Sequence, residues 1–255
     1  MNILVFVKEV PDDSVAVSVK ENKADTENIT PVVNAFDTYS LEMGARLKEK
    51  EGGEVTVLSI GGESVKNSLK NCLAVGADNA YFVEYENYKK LDPRSIAMTL
   101  INAKERLEEE KGKFDLFCFG KETTDYEASQ VGVYFAEKLG IGSITNIISM
   151  EVDGETLTTE QETEEGKRVV ETTLPCAVTI TKPDYDPRYA TIKSKMAARR
   201  KEIPALEVEV SDENLHEIVQ EFEPAKREAG VKIVEEDTEV AVARAIEIMK
   251  KEKAI

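Results

Sequence analysis

Phe114-Asp115-Leu116-Phe117-Cys118-Phe119-Gly120-Lys121-Glu122-Thr123-Thr124-Asp125-Tyr126 is the stretch from which the fold is read. Its first half is almost continuously apolar, as expected of a parallel strand buried on both faces. Downstream, Ala128, Val131, Phe135 and Leu139 recur at helical spacing, and Gly140 follows as a C′ residue. A strand, a short turn from glycine to hydroxyls and a helix start form the corner where an open α/β sheet binds phosphorylated ligands. There Gly120 admits close backbone approach, Thr123 and Thr124 supply hydroxyls, and the first helical N–H groups face the anion. Asp125 is placed to cap the helix. An ordinary capped βα loop with no ligand fits these residues equally.

Outward from this corner the chain repeats the same unit. Ile3–Val7 is a short apolar first strand, turned by Lys8-Glu9-Val10-Pro11-Asp12-Asp13, with Pro11 ending regular pairing. Weak β segments around Val15–Val19 and Thr30–Val33 read as an excursion. A helix over Asp37–Glu49 follows, entered through Asn34-Ala35-Phe36-Asp37, where Asn34 or Asp37 is expected to cap. Glu54–Ile60 is a second strand, and Gly61-Gly62 opens a helix burying Val65, Leu69, Cys72 and Leu73 and ending near Gly76. Ala80–Val83 is a third strand. Asp92-Pro93 then opens a helix with a capping residue and an N1 proline. Four βα units in about 140 residues predict a parallel sheet covered by helices on both faces.

The texture changes after Gly140. Ser143–Val152, Thr156–Glu162, Lys167–Thr172 and Ala177–Thr181 are β-rich, with hairpin turns at Asp153-Gly154 and Glu165-Gly166, and read as antiparallel additions. Asp186–Ile192 is a loop leading into a basic helical stretch, Lys193–Lys201. Residues 205–235 are irregular and acidic, and Glu239–Lys250 is an amphipathic helix suited to packing on another chain or to capping its own domain. The organisation expected is a nucleotide-binding α/β domain over 1–183, a docking loop and basic helix over 184–204, and a C-terminal arm over 205–255.

Bulk properties narrow the function classes. The 255 residues carry a formal charge of −17, which disfavours nucleic acid and anionic membrane as partners. Cys72, Cys118 and Cys176 sit in apolar patterns and read as small buried hydrophobes. A single histidine, His216, disfavours histidine-rich metal sites and hydrolytic triads. No metal site is therefore expected. No apolar run reaches membrane-spanning length and no basic leader precedes the first strand, so the expected location is cytoplasmic. Ser59-Ile60-Gly61-Gly62-Glu63-Ser64 is similar to the phosphate loop of adenylating pyrophosphatases, but carries an inserted isoleucine, a glutamate for aspartate and the wrong strand position. No Gly-x-Gly-x-x-Gly and no Walker lysine occurs. Lys193, Lys195, Arg199, Arg200 and Lys201 form a basic patch beside Tyr189 and Ile192. It reads either as a solvated helix face or as a docking site for an acidic surface.

Three blocks together carry a family resemblance: Ile3–Val7 with Lys8-Glu9-Val10-Pro11-Asp12; Gly120-Lys121 with Asp125, Gln130 and Gly132; and Pro187-Arg188-Tyr189-Ala190-Thr191 with Ile192, Met196 and the basic cluster. They resemble the β subunit of electron transfer flavoproteins and FixA, with Arg227–Ile233 in support. The resemblance implies a three-layer α/β/α sandwich of the adenine-nucleotide-binding, Rossmann-like type with a mostly parallel sheet, paired with an electron transfer flavoprotein alpha subunit. It implies nucleotide contacts at Phe6, Asn34, Ala35, Phe36, Asp37, Ile60, Gly120, Glu122, Thr123, Thr124, Asp125, Gln130, Val131, Gly132 and Val133. The nucleotide is FAD or, in the ordinary subtype, AMP, with NAD(H) as substrate and ferredoxin as acceptor in a bifurcating subtype. Arg188, Tyr189 and Ile192 fall on the loop that docks acyl-CoA dehydrogenase-type partners, with Ile192 where the family usually has leucine. Asn34-Ala35 stands where members often have Asn-Pro. No side chain is assigned as acid, base or nucleophile, because the flavin supplies the chemistry. A universal-stress-type nucleotide-binding protein is the competing reading; it shares the fold and lacks the Pro187–Lys201 segment.

Overall fold

The computed structural model describes residues 1–225 and 230–254, so Arg227 and Ala229 of the supporting segment lie outside the described residues. In chain order the elements are β1 (Asn2–Phe6), β2 (Glu9–Pro11), β3 (Ser18–Lys20), β4 (Lys23–Asp25), β5 (Pro31–Val33), α1 (Ala35–Glu51), β6 (Glu54–Gly61), α2 (Val65–Val75), β7 (Asn79–Glu84) and α3 (Pro93–Lys111). They continue with β8 (Leu116–Gly120), α4 (Val131–Leu139), β9 (Gly142–Asp153), β10 (Thr156–Thr163), β11 (Gly166–Thr173), β12 (Cys176–Ile180), α5 (Ile192–Arg200) and α6 (Thr238–Lys251).

One sheet of eight strands, ordered β11-β10-β9-β12-β8-β1-β6-β7, organises the molecule. β1 is central and pairs in parallel with β6 on one side and β8 on the other. Its alternating side chains explain the two covering layers. Ile3 and Val5 point into a core shared with Leu41 of α1, Leu69 of α2 and Ala198 of α5. Leu4 and Phe6 point into the opposite core with Leu100 of α3 and Phe135 of α4. Because both faces are buried, the strands read as unbroken apolar runs rather than as alternation. The result is a three-layer α/β/α sandwich of Rossmann-like type.

The β-rich second half departs from expectation at one strand. β9, β10 and β11 form an antiparallel meander, with turns at Gly154-Glu155 and Glu164-Glu165. β12 instead returns into the sheet between β8 and β9 and runs parallel to both. Cys176-Ala177-Val178-Thr179-Ile180 is buried at every position, the pattern of an interior strand rather than of an edge hairpin. The 14–33 excursion forms small ribbons, β2 with β5 and β3 with β4, the first ending at Pro11 opposite Pro31.

Helix ends follow local chemistry. Asp92 accepts from the Ser95 N–H at 2.8 Å and Pro93 begins α3, as the pair predicts. All three cysteines are buried and unpaired, and burial pushes the Cys72 thiol up to about 12. After α5 the chain runs along the β7 edge, where the Leu206 N–H donates to Phe82 O at 2.8 Å. Asn214 and Leu215 are tied to Asp92. Beyond that point apolar side chains face outward: Val219 and Phe222, then Val240, Val242 and Met249 of α6.

Candidate functional site

The order of strands reverses between β1 and β8, which opens a crevice at their carboxyl ends. Three segments meet there: Phe6-Val7-Lys8, the entry of α1 at Asn34–Asp37, and the loop from Gly120 to Gln130. Asn34 joins all three and is fully buried. Its N–H donates to Lys8 O at 2.9 Å, its Nδ2 donates to Glu122 O at 2.8 Å, and its Oδ1 accepts from the Thr124 N–H at 3.2 Å. Asn34 therefore does not cap α1; its amide fastens the loop. Asp37 does not cap either. Its Oδ2 accepts from the Lys8 N–H at 2.7 Å, with the carboxyl sealed beneath Gly120. Burial raises the Asp37 carboxyl to about 7, and the facing N–H groups of Lys8 and Gly120 offset part of that rise.

Gly120 earns its place through this contact. A Cβ there would overlap Asp37 Oδ1 and lie 2.8 Å from Phe36 Cβ. Its missing side chain is thus used by the first turn of α1. Gly132 plays the matching role in α4, where a Cβ would sit 2.9 Å from Thr179 Cγ2 and 3.1 Å from the Phe119 ring. Phe6 stacks on Phe119 at 4.2 Å and meets Phe135 edge-on at 5.0 Å, so its ring supports the floor and its backbone borders the crevice. Ile60, at the end of β6, belongs to the same core.

Lys8 carries no binding-residue pattern of its own in sequence, yet it anchors the loop. Its Nζ lies 2.6 Å from Asp125 Oδ2 and 4.5 Å above the Tyr126 ring. Burial lowers the Lys8 ammonium, with Asp125 opposing that shift. Asp125 is consequently engaged with Lys8 and does not cap a helix. α4 begins at Val131, later than the expected start, and Ala128 belongs to the loop. The intervening backbone explains the delay: Glu127 and Ser129 adopt φ of 49° and 53°, left-handed values that interrupt a helix. Tyr126 adds a third tie by donating to Lys89 O at 3.0 Å, and Ser129 donates to Glu122 Oε2 at 2.6 Å.

What this geometry leaves open is a row of donors. No N–H from Ala128 to Val133 finds an acceptor among the described residues, and the Thr123 and Thr124 hydroxyls likewise make no hydrogen bond there. Left-handed residues just ahead of a helix turn successive N–H groups toward one side, an arrangement that receives phosphate. Gln130 and Val133 are exposed. The donor set fits a phosphate group.

The Ser59–Ser64 turn is different. Glu9 is buried and accepts from Ser64 Oγ at 3.2 Å and Ser68 Oγ at 2.7 Å, so a carboxylate of the chain already takes those hydroxyls. Near α5, Tyr189 and Ile192 are 91% and 82% exposed, whereas Arg188 turns inward onto α1.

Residues 23–211 match the electron transfer flavoprotein domain. The chain belongs to the electron transfer flavoprotein family. It is 33% identical to the electron transfer flavoprotein subunit beta of Megasphaera elsdenii, over 95% of both chains. Against the same subunit of Bacillus subtilis it is 31% identical, over 94% of this chain and 95% of that one. FixA of Bradyrhizobium diazoefficiens is 30% identical over 80% of this chain and 72% of its own. The β-subunit and FixA relatives alike match it over most of its length. The domain match begins after β1 and ends before α6, and the two β-subunit relatives extend the correspondence to nearly the whole length. No helix among the described residues is long and apolar enough to cross a membrane, and no cluster of three metal-ligating side chains occurs among them.

Proposed function

We propose that this chain is the β half of a heterodimeric electron transfer flavoprotein and holds FAD at the β1–β8 crevice. The open row of donors from Ala128 to Val133 carries this reading, supported by family membership. In it, those amides and the Thr123 and Thr124 hydroxyls hold the phosphates. Lys8 and Asn34 keep the loop in place, and the buried aromatic floor of Phe6 and Phe119 keeps water from beneath the site. FAD supplies hydride and single-electron chemistry when bound. The subunit supplies position and electrostatics, passing electrons between NADH or a flavin dehydrogenase and the alpha subunit, with ferredoxin as a low-potential acceptor.

The outward apolar residues of the arm and of α6 support packing on the alpha subunit, because exposed apolar side chains in one segment mark an interface. Tyr189 and Ile192 support docking of an acyl-CoA dehydrogenase-type partner. The alternative within the family is an ordinary carrier in which AMP fills the same crevice structurally. The Pro187–Lys201 segment disfavours the universal-stress reading. Nucleotide extraction from the purified heterodimer is the test. Two flavins per dimer are expected; one flavin with one AMP selects the ordinary carrier, and ATP in a colourless homodimer overturns the reading.

A further inference from the structure

A cluster of charged contacts at Arg188 fastens the docking segment to α1. Arg188 Nε donates to Glu42 Oε2 at 2.7 Å and Nη2 donates to Glu42 Oε1 at 3.3 Å. Nη1 and Nη2 reach the two oxygens of Glu49, the latter at 3.1 Å, and the Arg188 N–H donates to Glu42 Oε2 at 3.2 Å. Glu42 and Glu49 are two turns apart on α1 and so share a face. The Glu42 side chain is only 2% exposed. Arg46, between them, bonds Glu42 and places its guanidinium 3.8 Å from the Tyr185 ring. On the far side Thr191 and Ser194 form a reciprocal capping box at the start of α5. Between the two anchors, Tyr189 and Ile192 stand outward.

Arg188 satisfies both carboxylates and is itself satisfied, so it offers a partner little. The cations left facing solvent are Lys193, Lys195, Arg199 and Arg200. We propose that Glu42 is a positioning residue for the docking segment: with Glu49 it gathers Arg188 and thereby holds Tyr189 and Ile192 in a preformed apolar tip. A planar guanidinium bridging two carboxylates fixes orientation as well as distance, which an ammonium does not. The use of the tip in docking rests on the function proposed above; the ordering of the loop by the clamp does not.

Limited trypsin digestion of the full chain tests it, because Arg188 is itself a cleavage site. In the native chain the Arg188–Tyr189 bond is expected to be cut slowly. Glu42→Gln and Arg188→Lys, which keeps the charge without the fork, should each speed that cut about tenfold, the effect of losing a charge-assisted hydrogen bond. Glu49→Gln, on the exposed end of the clamp, should speed it less and covers the case in which Glu42→Gln does not fold. Cleavage after Lys23, in the β3–β4 ribbon, serves as the control and should not change. Equal cleavage after residue 188 in all variants, or acceleration only in step with Lys23, overturns the proposal. Failure of the docking reading is separate: Ile192→Ala would leave electron transfer with a substrate-reduced acyl-CoA dehydrogenase unchanged while the cleavage pattern stayed as predicted.

Discussion

Lys8 and Asp125 meet across 117 residues of sequence, with Nζ 2.6 Å from Oδ2, and the contact closes the loop that leads from β8 to α4. Both side chains are 20% exposed, so the pair is shielded from solvent more than a surface ion pair is. The loop it closes carries the open donors. Lys8→Met keeps the stem and removes the charge. It should weaken nucleotide retention several-fold while shifting stability by about 1 kcal/mol or less, in the range of a partly exposed pair. Equilibrium dialysis of nucleotide beside a denaturation curve checks this; equal retention contradicts it.

Asn34 is the more costly point of failure. Asn34→Ala leaves the Glu122 carbonyl and the Thr124 N–H without their partner. Loss of about 1–3 kcal/mol is expected, together with faster nucleotide release. Urea denaturation and a desalting column give the two readouts. Asn34→Asp should rescue less than its shape suggests, because a carboxylate cannot donate to Glu122 O.

Asp37 predicts a pH signature. Its carboxyl titrates near 3.8 when unfolded and is raised to about 7 in the fold, so between those values the folded state binds the extra proton. Its contribution is therefore most favourable below about pH 4 and declines as pH rises toward 7, levelling above that. Asp37→Asn removes this dependence. The stability difference between native chain and variant should move against the native chain by on the order of a few kcal/mol across that window. Parallel curves from pH 4 to 8 contradict the assignment.

Gly132 tests the packing of α4. Adding a methyl group 2.9 Å from Thr179 Cγ2 forces the first turn away from β8 and β12. Gly132→Ala should cost about 1–3 kcal/mol, as overpacking does, and should displace the donor row. A lower melting temperature with unchanged nucleotide content would separate packing from binding and contradict the second half of this prediction.

The parallel half of the sheet is legible because strands buried on both faces leave unbroken apolar runs, as in Ile3–Val7 and Leu116–Phe119. The Asp92-Pro93 start and the Gly76 end of helices are legible for a different, local reason, the capping chemistry of those residue types. In sequence β12 looks antiparallel, because Ala177–Thr181 is short and follows two true hairpins; only its burial on both faces marks it as interior. The site was legible as a place and less so as a mechanism. Asp125 looks like a cap in sequence, but Lys8 claims it, and no pattern reports a pairing over such a distance. Gly120 reads in sequence as room for a ligand, whereas Asp37 and Phe36 take the space a side chain there would need. A lysine immediately after the first apolar strand was the available signal for Lys8. The inward turn of Arg188 had no local signal, since its carboxylates lie on α1.

Hydrogen exchange at the amides of Ala128–Val133, compared in nucleotide-free and nucleotide-loaded protein, tests the central claim most directly. Binding should slow exchange at these amides more than anywhere else in the chain. Unchanged exchange there, with new protection elsewhere, contradicts the account.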